Sequence, residues 1–403
     1  MRKILHYLLI SVLIIILCFS QDAEARLFER VRAENPSDEV LLETNETENT
    51  TQAVEINKTE TGSSLRDRLQ TVYNLEIDKY DRPEYLFREA LTHKCKENSV
   101  MDNWHIWGAY NAYTDMSINS EGSFKDKYVS NALNIGFDGF LKNNNADFRI
   151  MLGFPIDSTR NYVQTLFSDV FIGTNKIPHH RIQVGHFRPQ VGYEGGNSAY
   201  TLPFLNRSQI SRNFGTARRL GGRIQGNYDF IDYDAGLYSS DTFFEEFFPG
   251  AEFVGWVNLK PLAKTGDKYG KLKIGGGIDG GHRDDNFFVT GAYIGYEYKK
   301  FSADFEWANA NGYNGFYGQS KKHATGFYTT VSYMITKKLQ LLARYDQLNP
   351  DKSVASNNKR EYSLGLNYFV KGQALRLIFN YVFCQNDSSK DSHRIMLGAQ
   401  ILL

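Results

Sequence analysis

Arginine is the residue type whose placement suggests chemistry. In residues 179–188 the apolar set is Ile182 and Val184, which leaves Arg181 and Gln183 on the alternate phase. In 217–229, Leu220 and Ile224 take one side while Arg219, Arg223 and Gln225 take the other. The same test puts Arg344, Arg376 and Arg394 on the polar phase, together with Asp232, Asp234 and Asp346. A guanidinium is permanently charged and forks onto phosphate or carboxylate oxygens. Arginines lining an enclosed aqueous passage therefore favour anions. A charge pair 4 Å apart is worth about 1 kcal/mol in bulk water and several-fold more in a low-dielectric throat. Constriction geometry thus decides how much the arginines matter. Pro189 to Thr216 is the longest stretch without strand alternation and adds Arg207 and Arg212 just before Arg218 and Arg219. The candidate pore or anion-binding set is Arg181, Arg207, Arg212, Arg219, Arg223, Arg344 and Arg376.

Other motifs fail on spacing. Gly275-Gly276-Gly277-Ile278-Asp279-Gly280 formally reads G-x-G-x-x-G, but no helix pattern follows, as a nucleotide site requires. Glycines at a bend or a packing contact fit better. His179, His180 and His186 make no metal site, because adjacent strand residues point to opposite faces. No G-x-S-x-G or H-E-x-x-H occurs. The reading is therefore no catalytic residue, no metal, no cofactor and no enzyme. Tyr296, Tyr298, Tyr333, Tyr345, Tyr368 and Tyr381 mostly share the apolar phase and fit an interfacial aromatic belt better than a sugar slide.

Strands must carry these residues. In 326–335, Phe327, Thr329, Val331, Tyr333 and Ile335 share one phase, and Tyr328, Thr330, Ser332 and Met334 the other. In 362–369, Tyr362, Leu364, Leu366 and Tyr368 alternate with Ser363, Gly365 and Asn367. Period two marks strands with one apolar face. About sixteen such segments occur, near 104–113, 129–140, 146–154, 163–173, 179–188, 217–229, 231–240, 251–261, 270–281, 286–298, 301–309, 325–336, 338–347, 360–369, 373–384 and 392–403. Links after even-numbered segments are mostly tiny, with Leu262 to Tyr269 the exception. Those after odd-numbered segments include 189–216, 241–250, 310–324 and 348–359. Short turns on one rim and long loops on the other describe an outer-membrane barrel. The fold class is all-β: a transmembrane antiparallel β-barrel of about 16 strands over 104–403.

The N-terminus sets the compartment. Arg2 and Lys3, the apolar run Ile4 to Phe19 and Ala23-Glu24-Ala25 spell a signal peptide over 1–25. Residues 26–64 hold four basic and nine acidic side chains among Asn, Thr and Glu, a disordered tether by composition. Asn45 and Asn57 each sit in an Asn-x-Thr sequon there. Residues 65–103 form a short helical periplasmic extension, with Tyr85 to Leu91 as one helix. The whole chain has 46 basic and 46 acidic residues. The first hundred hold 13 and 18, which leaves 33 and 28 in the barrel region. That gives no nucleic-acid field but a mildly basic pore domain. The aromatic content of 14% with a mean hydropathy of −0.45 suits a barrel with a polar lumen and excludes a helical bundle. Cys95 and Cys384, the cysteines beyond the signal peptide, make no disulfide scaffold.

Gly185-x-Phe187-Arg188-Pro189, Gly192, Glu194, Phe204-x-x-Arg207 and Arg219-x-Gly221 resemble the central motif of the phosphate-selective porin O/P family. Asp169-Val170-Phe171-Ile172, Ala343-Arg344-Tyr345-Asp346 and Leu366-Asn367-Tyr368 echo it. The resemblance implies a sixteen-stranded homotrimeric porin of the Gram-negative outer membrane, in contact with its lipid, passing phosphate or similar small anions. Its long loop would fold into the lumen. Its last strand, alternating to Leu403, resembles the signal read by the outer-membrane assembly machinery. A general or sugar-conducting porin is the alternative; a surface adhesin or a lipase-like barrel ranks below.

Overall fold

The structure, a computed structural model, describes residues 85–97, 99–142, 146–154, 166–242, 246–316 and 318–403. The expected signal peptide, the expected tether with its sequons and residues 65–84 lie outside them. From Met101 onward the chain forms sixteen strands that match the sixteen alternating segments one for one: β2 (Met101–Asn119), β3 (Phe124–Leu141), β4 (Asp147–Gly153), β5 (Phe167–Thr174), β6 (His180–Phe187), β7 (Arg219–Asn227), β8 (Ile231–Ser239), β9 (Ala251–Leu259), β10 (Lys271–His282), β11 (Asn286–Tyr298), β12 (Phe301–Gly315), β13 (Gly318–Met334), β14 (Leu339–Asn349), β15 (Lys359–Lys371), β16 (Leu375–Asn386) and β17 (Ser392–Leu402). A short strand β1 (Thr92–Lys94) pairs with the start of β2. Each strand from β2 on runs antiparallel to the next, and β17 returns to β2 from Ser392↔Asn119 to Leu402↔Ala109. Strands β2–β17 close into a barrel, the arrangement that satisfies the strands' backbone in an apolar medium.

Burial is inside out, as the alternation requires. On β15, Tyr362, Leu364, Leu366 and Tyr368 are exposed while Ser363, Gly365 and Asn367 are buried. On β13, Thr329, Val331 and Tyr333 face out, and Tyr328, Thr330 and Ser332 face in. Aromatic rings continue the outer face from strand to strand: Phe305 to Phe327 at 5.8 Å, Phe327 to Tyr345 at 5.7 Å, Tyr345 to Tyr362 at 5.1 Å and Tyr362 to Phe383 at 6.0 Å. No helix among the described residues is long and apolar enough to cross a membrane.

Two expectations change. Residues 310–324, read as a long loop, are mostly strand, because β12 and β13 pair up to Gly315↔Gly318. Asn311, Asn314, Gln319 and Ser320 hide the alternation with turn-like residues, and a register shift between Asn311 and Tyr313 breaks its phase. Tyr85 to Leu91, read as a helix, makes one turn, closed by the Leu91 amide on the Phe87 carbonyl at 2.9 Å. So short a segment gains little from helix propagation, and β2 captures the next residues as β1. Tyr85 itself is buried against His105 and Trp107.

Candidate functional site

Residues 188–218 link β6 to β7 and fold into the barrel interior. They carry a one-turn helix α1 (Tyr193–Gly196) and a second helix α2 (Gln209–Phe214) capped by Ser208, whose side chain accepts from the Ser211 amide. Helix α2 buries Ile210 and Phe214 against Val289, Ala308, Ala310, Ala324, Tyr328 and Leu348. Alanines on the inward phase of β12 and β13 leave the volume that the helix fills, as close packing demands. Gly277 on β10 lacks a Cβ for a similar reason: one there would stand 2.3 Å from the Gly255 carbonyl oxygen and 2.4 Å from the Trp256 ring.

Wall side chains satisfy the loop's backbone. Glu306 on β12 accepts from the Tyr193 and Glu194 amides at 2.6 and 3.0 Å. Asp346 on β14 accepts from the Gln209 amide at 2.7 Å, and Asn380 on β16 from the Leu205 amide at 2.9 Å. In the other direction, Asn367 donates to the Pro203 carbonyl at 2.9 Å and Gln400 to the Tyr200 carbonyl at 2.9 Å. Tyr113 on β2 donates to the Asn206 side chain at 3.0 Å. Buried amides and carbonyls need such partners. The loop is thereby fastened along the wall from β12 round to β2.

The predicted arginines divide into three groups. Arg207, Arg344 and Arg376 belong to that fastening. Arg344 donates to Glu194 at 2.6 Å and lies over the Phe204 and Tyr328 rings. Arg376 donates to the Leu202 carbonyl at 2.8 Å, and Arg207 donates to the Glu194 and Asn197 carbonyls. Burial pulls Arg207 down to about 10, which keeps it charged at neutral pH. Burial also works to raise Glu194, but Arg344 and the Ser208 donors outweigh it and hold the carboxyl below its usual range. Arg212, on α2, pairs with Glu361 at 2.9 Å, and Arg219 is buried on Glu252 at 2.9 Å.

Arg181 and Arg223 stand elsewhere, at the β6–β10 side of the lumen. They line a cavity of about 100 Å³ between that wall and loop residues Gln190, Tyr193, Gly196 and Asn197. Arg181 forks onto Asp147 at 2.7 and 2.9 Å. Arg223 contacts Asp234 at 3.1 Å and Gln183 at 2.9 Å. Asp232, Asp234, Trp256, Asn258 and Lys273 are among the other residues that line it. Lys273 lies 5.4 Å from the centre of the Tyr193 ring, which stacks on Tyr293 at 3.6 Å. Sequence phase did not single out Lys273, Trp256 or the loop-binding acid Glu306; Glu194 entered only through the family motif. The one available sign was the run of small inward residues Ala308, Ala310 and Ala324, unusual for a water-filled lumen.

Motifs set aside at the sequence level are accounted for by packing. His179 stacks on Tyr228 at 4.8 Å, His180 bonds the Tyr233 hydroxyl at 2.7 Å and His186 bonds the Ser168 carbonyl at 2.8 Å. Among the described residues no group of three or more His, Cys, Asp or Glu is placed to hold a metal. Cys95 and Cys384 are both free.

Residues 272–401 match the family described as phosphate-selective porin O and P. No curated protein matches the sequence. Similar solved structures include an anion-selective porin from Comamonas acidovorans, 9% identical, covering 74% of this chain and 99% of that one with a TM-score of 0.54. The outer-membrane channel DcaP of Acinetobacter baumannii is 12% identical and covers 77% and 99% with a TM-score of 0.53. The trimer form of OmpT, an outer-membrane protein of Vibrio cholerae, is 14% identical and covers 74% and 99% with a TM-score of 0.50. At these identities the structures share the fold. The family match covers the C-terminal part of the barrel, and the solved structures show the fold of a sixteen-stranded outer-membrane-type β-barrel.

Proposed function

We propose that the protein is a passive porin that conducts small anions, phosphate among them, along the β6–β10 side of its lumen loop. One observation carries this reading: the loop is fastened to the β12–β2 wall and leaves a polar cavity lined by Arg181, Arg223 and Lys273 on the other side. Basic groups there face Asp232 and Asp234, so the expected preference for anions is modest. The described anion selectivity of the Comamonas porin is consistent with it. We also propose, from the family likeness, a homotrimer in outer-membrane lipid, delivered by a cleaved signal peptide and inserted by the assembly machinery. Of the seven candidate arginines, Arg181 and Arg223 are assigned to the passage. Arg207, Arg344 and Arg376 are assigned to holding the loop that narrows it, and Arg212 and Arg219 to its flanks.

The test is the reversal potential of single channels under a potassium chloride gradient. Arg223→Ala combined with Lys273→Gln is expected to shift it toward cations, and added phosphate to reduce chloride current in the parent. A cation-selective parent channel, unmoved by the substitutions, overturns the anion reading. The pairing of Arg181 with Asp147 and of Arg223 with Asp234 favours a second reading, a general porin without anion selectivity. Equal permeability to both ions would establish that reading instead.

A further inference from the structure

The periplasm-facing assignment of the rim that carries both β1 and the end of β17 follows from the porin reading, on which this inference rests. Three neighbouring links on that rim join β9 to β10, β11 to β12 and β13 to β14. They carry Lys264 and Lys268, Lys299 and Lys300, and Lys337 and Lys338, all exposed. The links touch: the Met334 amide donates to the Lys300 carbonyl at 2.8 Å, and the Lys300 ammonium donates to the Ile335 carbonyl at 3.3 Å. Lys271 and Lys371, both exposed, stand at adjoining strand ends. Against these the sequence sets Asp267 and Glu297. None of the six link lysines has an ion-pair partner among the described residues.

This concentration is not the general character of the molecule's turns. On the other half of the same rim, the links after β3, β5 and β7 carry Lys142, Lys176 and Asp229. The links of the opposite rim hold more acid than base, with Glu121, Asp241, Glu246, Asp284, Asp285, Asp351, Asp387 and Asp391 against Arg283, Lys352 and Lys390, and strand-end Lys321 and Arg360 pair with Asp285 and Asp387 there. The lysines also lie beside an apolar wall. Lys268 sits 5.0 Å from the Tyr269 ring and Lys299 4.9 Å from the Tyr298 ring. Beyond those rings the outer faces of β10 to β14 expose Ile274, Ile294, Phe301, Tyr333 and Leu341. A ligand that fits both features has an anionic head at the lysines and hydrocarbon along the wall.

We propose that this sector of the rim binds anionic phospholipid, with the phosphodiester on the lysine links and the acyl chains against β10–β14. Clustered lysines at a membrane surface recognise anionic headgroups additively and within a Debye length. Tyrosine rings at the same level keep the lysine stems at the interface, where amphipathic side chains settle.

The experiment is native mass spectrometry of the full chain in nonionic detergent, titrated separately with phosphatidylglycerol, phosphatidylcholine and inorganic phosphate. Phosphatidylglycerol is expected to be retained over phosphatidylcholine. That retention should fall at least about tenfold in a protein carrying Lys299→Gln, Lys300→Gln, Lys337→Gln and Lys338→Gln, and drop with added salt. The corresponding four Lys→Arg substitutions should keep it, and Lys142→Gln with Lys176→Gln should leave it unchanged. Heat-modifiable gel migration checks that each variant is folded. Equal retention of the two lipids, full retention by the glutamine variant, or displacement by inorganic phosphate at matched concentration overturns the proposal. Channel selectivity is read separately, so failure of the anion reading leaves this measurement standing.

Discussion

At the scale of single residues, five of the seven candidate arginines work in pairs with a carboxylate, and one member of a pair cannot be judged alone. Arg344 and Glu194 are each almost wholly buried and 2.6 Å apart, so removing one leaves the other's buried charge without its ion-pair partner. Breaking such a pair costs about 3–5 kcal/mol. Glu194→Ala is therefore expected to destabilise the protein by about that amount in chemical denaturation and to raise channel noise as the loop loosens. A silent substitution in both measurements would remove Glu194 from the fastening. Its pH dependence follows from the sign of the shift. The carboxyl is held below its unfolded value of about 4.3, chiefly by Arg344 working against burial. Its contribution is therefore complete above that value and lost as pH falls through the lowered folded one. The share of the fastening that Glu194 supplies should therefore persist from neutral pH down to about 5 and be lost only in stronger acid, read as the pH at which Glu194→Ala and the parent cease to differ in channel noise. A difference between the two that already vanishes near pH 6 would assign that share to a different group.

Among the elements, helix α2 is too short to be stable alone and depends on its seat. Ala310 and Ala324 are fully buried beneath it. Ala310→Leu or Ala324→Leu overpacks that seat, at about 1–3 kcal/mol, and should lift the helix while β12 and β13 keep their pairing. The expected outcome is higher single-channel conductance with unchanged heat-modifiable migration. Reduced conductance would mean that the added volume entered the passage instead. Strands themselves were legible because alternation survives wherever one face meets an apolar medium. The failures fall where that condition lapses: polar β12–β13 ends beyond the apolar band, and Tyr85 to Leu91, whose apolar spacing serves one turn and a docking tyrosine.

For the whole molecule, the turns at one rim are lysine-rich and those at the other carboxylate-rich, so the barrel carries a charge asymmetry along its axis. Fixed charges at a pore mouth alter local ion concentration. Current–voltage curves should accordingly be asymmetric at low salt and become symmetric near about 1 M, where the Debye length shrinks to about 3 Å. Symmetric curves at low salt would show that the rim lysines lie too far from the ion path to matter.

The sequence by itself determined the barrel: period-two alternation, the grouping of short and long links and the phase of each arginine are local properties, fixed by which side of a strand meets lipid. It also placed the loop between β6 and β7 and the split between an acidic N-terminal region and a mildly basic barrel. Only the tertiary structure decided what each arginine touches. Arg344 meets Glu194 and Arg219 meets Glu252 across long sequence separations, and phase carries no information about such partners. The same holds for the lysine links, scattered through the chain and set side by side only because an antiparallel barrel returns every second turn to the same rim.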